Sequence, residues 1–340
     1  MKKIIFILLL VFIVHSAFAA EFIDGRIKLV LNPGTGRFSL YYMTDIAREE
    51  FVHLFTAEDP RTSFLSIMVN NKTYKMGETY LFKTSIGGTP SSPSLIFESS
   101  FMVVTQNFSF TKTGASSMTN GVLITITITN KSDRTVNAGM RLLIDTDLGE
   151  KNNAHFITNL REINNETVID KTSQDQYWVS KNDKLLLMGS IASENRPDTV
   201  HFANWKRLND APWKITYMKG RNFNLLPYSI DDSAVCYYYE PAPLPKGGSR
   251  TATISLVSSL FSEEQNIIAV STAEDQPAIS IESSLPDEEL GDTVRTDLAT
   301  LEELVFRLDE SIVSGLYISD EELAAISLLI SRIKLKYSIP

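Results

Sequence analysis

Strict alternation of side-chain character over residues 122–129 constrains the fold of this chain more than any other feature. The even positions of this stretch hold Val or Ile, and the odd positions hold Leu or Thr. A period of two places every β-branched apolar side chain on one face of a strand, and such a face borders a core. The sequence therefore predicts a sheet that covers a hydrophobic interior.

Short runs of the same kind, separated by turn chemistry, continue from residue 20 to about residue 261. Asn32-Pro33-Gly34-Thr35-Gly36 and Asn70-Asn71 are each flanked by two such runs, which is typical of β-hairpins. Because helical periodicity does not separate these runs, they predict antiparallel sheets packed face to face. We expect a mainly β fold, with one large antiparallel β-sandwich over residues 20–261.

A change in composition near Ser262 marks the end of the β region. Residues 262–310 hold fourteen acidic residues and two basic ones, although the whole chain has a net charge of only −9. This asymmetry fits an acidic linker, which we place at residues 262–286, and a solvated helix face accounts for many of the acids as well.

Apolar residues then recur at spacings of three and four in two stretches that Gly315 and a Ser319/Glu322 capping box separate. This spacing predicts a C-terminal two-helix hairpin at residues 287–340, with one buried seam on each helix. A pair this small has little core of its own, so we expect it to bind a protein partner or a second copy. The predicted partner-binding residues lie on the two seams: Leu298, Leu301, Val305, Leu308, Ile326, Ile330 and Ile333.

The first 19 residues have the features of a signal peptide. Lys2 and Lys3 precede an apolar run, residues 4–14, that is shorter than the roughly 20 residues a membrane-spanning helix needs. Ala17-Phe18-Ala19 fits a signal peptidase site. We expect cleavage after Ala19 and a periplasmic, secreted or cell-surface location. Cys236 is the only cysteine, so no intramolecular disulfide can form.

Oxygen ligands crowd the chain after residue 144. Asp145, Asp147 and Asn152 lie within eight residues, and calcium prefers such hard oxygen ligands. The spacing departs from an EF-hand loop, because Phe156 stands where a bidentate Glu belongs. Calcium binding by these three residues is one interpretation, and a turn whose carboxylates bond their own backbone is the other. No other cofactor is expected.

All three tryptophans lie in an aromatic-rich segment, residues 177–239. Aromatic rings stack on the CH faces of sugars, while amide and imidazole groups meet the hydroxyls. The alternative is that these rings fill the gap between two sheets. The candidate ligand-binding residues on the first interpretation are Trp178, Trp205, Trp213, Asn204 and His201.

The sequence lacks the signatures of several common enzyme classes. It holds no nucleophile elbow, no phosphate-binding loop and no dinucleotide fingerprint. Neither the net charge nor a basic stripe indicates nucleic-acid binding. His155 or His201 with Glu240 would form an acid and base of the kind that sugar epimerases use on a large β-sandwich. No catalytic residue is assigned.

Three segments carry a resemblance to known proteins: Ile144-Asp145-Thr146-Asp147-Leu148-Gly149, Pro197-Asp198-Thr199-Val200-His201-Phe202-Ala203-Asn204-Trp205 and Asp232-Ser233-Ala234-Val235. The stretch that contains them resembles a group of exported bacterial β-sandwich proteins of unassigned function. The arrangement is also similar to the supersandwich fold of galactose mutarotases and carbohydrate-active enzymes. The resemblance implies a fold, and the catalytic residues of the sugar enzymes cannot be matched here.

These patterns favour a non-enzymatic, exported cell-envelope protein, in which a β-sandwich scaffold carries a helical hairpin for protein–protein interaction or assembly. The alternative is a carbohydrate-binding or carbohydrate-modifying domain that uses the aromatic segment. An open cleft in which His155 or His201 faces a carboxylate would indicate a catalyst instead.

Overall fold

The structure of the protein is a computed structural model that describes residues 19–261 apart from residues 57–60, 114, 115, 117 and 194. Within this part the chain forms nineteen strands and one helix. The first ten strands are β1 (Ala20–Asp24), β2 (Ile27–Asn32), β3 (Arg37–Asp45), β4 (Glu50–His53), β5 (Phe64–Val69), β6 (Lys72–Lys75), β7 (Lys83–Thr89), β8 (Ser92–Glu98), β9 (Met102–Thr111) and β10 (Gly121–Asn130). The remaining elements are β11 (Val136–Asp145), β12 (Phe156–Thr158), β13 (Glu162–Ile163), β14 (Thr167–Asp170), β15 (Tyr177–Lys181), β16 (Leu185–Ser190), β17 (Thr199–Asn204), α1 (Trp205–Asp210), β18 (Ser233–Leu244) and β19 (Ser249–Leu260).

The described strands form three sheets. Strands β1 to β4 make a four-stranded sheet in chain order. A nine-stranded sheet has the order β13-β12-β15-β16-β19-β10-β9-β8-β7, and a six-stranded sheet has the order β14-β17-β18-β11-β5-β6. Neighbouring strands are antiparallel throughout these sheets, as the short β-type runs predicted.

Both predicted hairpins are confirmed. Asn32 pairs with Arg37 across the first turn and so joins β2 to β3. Asn70 and Asn71 join β5 to β6 and have φ angles of 48° and 65°. Asn tolerates this left-handed conformation, which the tightest hairpin turns require at both central residues.

The predicted face of β10 lies in the core. Val122, Ile124, Ile126 and Ile128 are each 0% exposed. They belong to one hydrophobic cluster that draws side chains from all three sheets. The β-sandwich predicted from the alternation is therefore confirmed.

Strand β18 of the six-stranded sheet is buried on both of its faces. Tyr237 and Tyr239 point into the main core, whereas Cys236 and Tyr238 pack in a second cluster with Leu208 of α1. The three tyrosines therefore divide between the two faces of the strand, as a period of two requires, and the single cysteine is buried.

The pairing of β11 with β18 determines where the candidate site lies. The two strands are antiparallel, with Asp145 opposite Ala234. The residues that follow Asp145 and those that precede Ser233 therefore leave the sheet at the same end.

The predicted C-terminal two-helix hairpin is wrong for the fold that the structure describes. The only helix among the described residues is α1, which is six residues long, and none of their helices is long and apolar enough to cross a membrane. Outside the described residues lie the partner-binding seam (Leu298 to Ile333), the acidic linker and residues 1–18 of the predicted signal peptide. Heptad spacing defines the face that a helix would bury, but it does not supply a surface against which to bury it.

Candidate functional site

A tight turn after β11 carries the first half of the site. The backbone nitrogen of Glu150 donates to the Asp147 carbonyl at 3.2 Å, and that of Asn152 donates to the Gly149 carbonyl at 3.0 Å. A Cβ at Gly149 would lie 2.0 Å from the carbonyl oxygen of His155. Because the turn folds back on itself here, this position requires glycine.

Ser233, the first residue of β18, connects a carboxylate to an imidazole. Its backbone N–H donates to Glu150 Oε1 at 2.9 Å. Its hydroxyl oxygen lies 2.8 Å from His155 Nδ1, and the His155 ring packs against Phe223 with 4.7 Å between ring centroids. One residue thus fixes the positions of two groups that are able to exchange protons.

Three carboxylates meet beside Ser233. One oxygen atom from each of Asp145, Glu150 and Asp232 lies within 4.8 Å of the other two. We call these three residues the carboxylate cluster. Asp145 comes from the end of β11, Glu150 from the following turn, and Asp232 from the residue before β18.

Burial and like charges keep protons on the carboxylate cluster. The pKa of Asp145 is raised to about 7, chiefly by burial and also by the charges of Asp232 and Asp147, although Thr62 and Thr56 oppose the shift in part. Burial also raises the pKa of Glu150 to about 8, against the opposing hydrogen bond from Ser233. The pKa of Asp232 is raised by burial as well. Without a cation, the cluster therefore holds fewer than three charges at neutral pH.

An open pocket of about 760 Å³ adjoins this cluster. Glu150 and His155 line it together with Asp231. Burial lowers the pKa of His155, and the charge of Asp231 opposes this shift. The rest of the lining is mostly polar: Lys151, Asn152, Asn153, Asn164, Asn165 and Ile230. The pocket thus combines hydrogen-bond donors, acceptors and an imidazole.

Each of the three tryptophans makes contacts within the protein. Trp178 is 0% exposed, and its Nε1 donates to the Tyr237 hydroxyl. Trp205 Nε1 donates to the backbone carbonyl of residue 62 at 2.9 Å, and Trp213 packs against Tyr238 with 5.9 Å between centroids. None of the three lines the pocket described above, so ligand binding through them stays a prediction.

Asn204 and His201 are also buried. Asn204 caps α1, because its Oδ1 accepts from Arg207 N at 3.3 Å, and its Nδ2 donates to the Phe223 carbonyl at 2.8 Å. Burial, together with the charge of Lys214, lowers the pKa of His201 to about 4. His201 is therefore neutral in the folded protein at neutral pH. A ligand-binding role for either residue stays a prediction.

The structure separates His155 from Glu240. Glu240 forms an ion pair with Lys214 at 2.6 Å, whereas His155 lies with Glu150 and Asp231 in the pocket. Because a strand rises about 3.3 Å per residue, Glu240 is about 23 Å along β18 from Ser233, which contacts His155. At this pocket His155 thus lies with other carboxylates instead of Glu240, whereas the pair of His201 with Glu240 stays a prediction.

One of the three predicted calcium ligands lies in the carboxylate cluster. Asp145 is there, whereas Asp147 is exposed and influences the cluster through its charge. Asn152 is exposed and donates to the Lys181 carbonyl. Asp232 belongs to the cluster but was not among the ligands predicted from the sequence, because it lies far from Asp145 along the chain. Its only sequence signal is its presence in one of the three segments that carry the family resemblance.

Comparison with known proteins adds a likeness at low identity. No family model matches the chain, and no curated protein matches it. A galactose mutarotase-related enzyme from Lactobacillus acidophilus is 10% identical, with a TM-score of 0.44 over 71% of this chain and 97% of that chain. An aldose epimerase homologue from C. elegans is 10% identical, with a TM-score of 0.45 over 72% of this chain and 99% of that chain. No residue role is transferred from these proteins.

Proposed function

We propose that the protein binds a carbohydrate in the pocket lined by Glu150, His155 and Asp231. The observation that carries the proposal is the lining of this pocket, which brings carboxylates, amides and an imidazole together around about 760 Å³. Sugar hydroxyls both donate and accept hydrogen bonds, so they suit a wall with both kinds of group. The volume falls within the roughly 300–1,000 Å³ of small-molecule sites. Ile230, which is 69% exposed, offers an apolar surface to a CH face.

We thus favour the alternative hypothesis from the sequence, a carbohydrate-binding domain, over a non-enzymatic scaffold. His155 shares an open pocket with two carboxylates, which is the arrangement that would argue against a scaffold. The proposed ligand lies at residues 150–155, 164–165 and 230–231 rather than at the tryptophans. We also propose a periplasmic, secreted or cell-surface location, on the basis of the predicted signal peptide.

Calorimetric titration of the full chain with aldohexoses, aldopentoses and their disaccharides tests the proposal. Combining Asp231→Ala with Asn164→Ala removes two polar groups from the pocket wall and should weaken binding at least tenfold, which corresponds to about 1.4 kcal/mol. Asp133→Ala is a matched control, because Asp133 is an exposed acid at the opposite end of β11. The control should bind as the parent does. A parent protein that binds none of these sugars would overturn the proposal.

A second candidate function is modification of the bound sugar by proton transfer. It is favoured by Ser233, which contacts both His155 and Glu150. A histidine and a carboxylate in one pocket are able to move protons between a sugar hydroxyl and the ring oxygen. Polarimetry of a freshly dissolved α-aldose should then show faster mutarotation with the parent than with His155→Ala. Equal rates with and without the parent protein would leave binding as the function.

A further inference from the structure

The carboxylate cluster brings two acidic groups, from the end of β11 and the turn that follows it, and a third, Asp232, from a distant part of the chain into one small volume. The antiparallel pairing of β11 with β18 sets Asp145 beside the start of β18, and the hydrogen bond from Ser233 holds Glu150 against the same strand. Asp232 completes the set, with one oxygen of each residue within 4.8 Å of the others. The main-chain arrangement therefore holds these side chains together.

No described basic side chain forms an ion pair with any of the three. Asp147 adds a fourth negative charge nearby. Like charges at this separation repel strongly where water is excluded, so such an arrangement is unfavourable unless a proton or a cation compensates it.

A separate observation concerns the hydrogen bonding of Asp145. This residue is 2% exposed, and its Oδ1 has no hydrogen-bond partner at normal geometry. A buried carboxylate oxygen without a donor has lost its hydration without a hydrogen bond to replace it. A cation bound by the cluster would provide the missing partner.

We propose that Asp145, Glu150 and Asp232 bind a calcium ion. The set consists of oxygen ligands alone, which suits calcium, whereas zinc prefers nitrogen and sulfur ligands. Oxygens bound to one calcium ion at about 2.3–2.6 Å lie no more than about 5.2 Å apart, and the separations in the cluster satisfy this limit. Magnesium demands near-ideal octahedral geometry, keeps several waters and is usually bound through only one or two carboxylates, so a set of three favours calcium.

The bound ion would join the turn after β11 to the start of β18. It would hold Glu150 ionised and fix the position of Ser233, which contacts His155 in the neighbouring pocket. The inference does not depend on sugar binding, because the cluster exists whether or not the pocket takes a sugar.

Thermal unfolding of the full chain in EDTA, in 1 mM CaCl2 and in 1 mM MgCl2 tests the calcium site. The parent should gain about 5 °C in Tm with CaCl2 over EDTA, since a ligand that binds only the folded state stabilises it. MgCl2 should produce a smaller gain. Identical parent Tm values in EDTA and CaCl2, or an equal gain with MgCl2, would overturn the assignment.

Variants locate the ion on the chain. Asp145→Asn and Asp232→Asn should lose the gain in CaCl2, yet should unfold in EDTA at or above the parent Tm, because each replaces a carboxyl group whose ionisation is disfavoured there with a neutral amide. Asp133→Asn, the matched control, should keep the full gain. A full gain in Asp145→Asn would assign the ion to other carboxylates, such as those of residues 262–310, and would overturn the proposal. Sugar titration in EDTA separates failure of this site from failure of the proposed function.

Discussion

The indole N–H of Trp178 donates to the hydroxyl oxygen of Tyr237 at 2.5 Å, and this bond joins the two large sheets inside the core. Trp178 lies in β15 of the nine-stranded sheet, and Tyr237 lies in β18 of the six-stranded sheet. Both side chains are 0% exposed. Burial raises the pKa of Tyr237, so its hydroxyl stays protonated. The sandwich thus contains a polar contact at a position where apolar packing alone would suffice for burial.

Tyr237→Phe should destabilise the protein by about 1–3 kcal/mol. The change removes the acceptor and leaves the buried Trp178 N–H without a partner, which costs its full desolvation. Tyr228→Phe is the control, because Tyr228 is 71% exposed and should change the free energy of unfolding by less than about 0.5 kcal/mol. Urea denaturation measures both. Equal stabilities of the two variants would contradict the prediction.

Glu166→Ala should destabilise the protein by about 3–5 kcal/mol. The Glu166 side chain is fully buried, forms an ion pair with Arg207 and lies 3.8 Å from Arg221. It also accepts a hydrogen bond from Met218 N at 3.1 Å. Removing one partner of a buried pair leaves the other charge uncompensated.

The control for that change is Lys206→Ala, which breaks a partly exposed pair with Asp210. Such surface pairs contribute little to stability, because solvent screens the two charges. Denaturation of both variants measures the difference. A loss in Glu166→Ala no greater than that in Lys206→Ala would show that the buried pair adds nothing.

Gly149→Ala should destabilise the protein by about 1–3 kcal/mol and weaken ligand binding at the pocket. The new methyl group would meet the His155 carbonyl oxygen, so the turn between Glu150 and His155 would have to shift. Gly34→Ala is the control, because its nearest neighbour would be the Asn32 side chain at 3.3 Å. Denaturation and the sugar titration together check this prediction. A Gly149→Ala variant with the stability and sugar affinity of the parent would rule out the close approach.

The stability of the protein should depend on His201 between about pH 4 and pH 6.5. Its pKa is about 4 in the folded protein and about 6.5 in an unfolded chain, so the unfolded chain takes up the proton first as the pH falls. The contribution of His201 to stability is therefore full above pH 6.5 and decreases by about 3 kcal/mol toward pH 4.

His201→Gln should lose that part of the pH dependence. Urea midpoints of the parent and the variant, measured at intervals from pH 4 to pH 8, provide the comparison. The difference between the two curves should be constant above about pH 6.5 and should change by about 3 kcal/mol between pH 6.5 and pH 4, where only the parent takes up the proton of His201 on unfolding. Parallel curves over the whole range would refute the assignment to His201.

The sequence by itself determined the features that depend on near neighbours along the chain. The alternation at residues 122–129 specified which side chains of β10 enter a core, and Asn70-Asn71 specified a hairpin, because side-chain period and turn conformation are local properties. The heptad spacing after residue 287 was local in the same way, but it did not supply a packing surface, and the two-helix hairpin expected from it is wrong for the described fold.

Tertiary structure alone decided the site. Glu150 and Ser233 are 83 residues apart in the chain, and they meet because β11 pairs with β18 in one register. Alternating apolar residues allow many antiparallel pairings, so no local pattern selects this one. The sequence likewise allowed the tryptophans either to contact a sugar or to fill the gap between two sheets. The tertiary structure places Trp178 between the two sheets. Long-range pairing is a property of the whole core, because each strand finds its register only when all the others bury their apolar faces together.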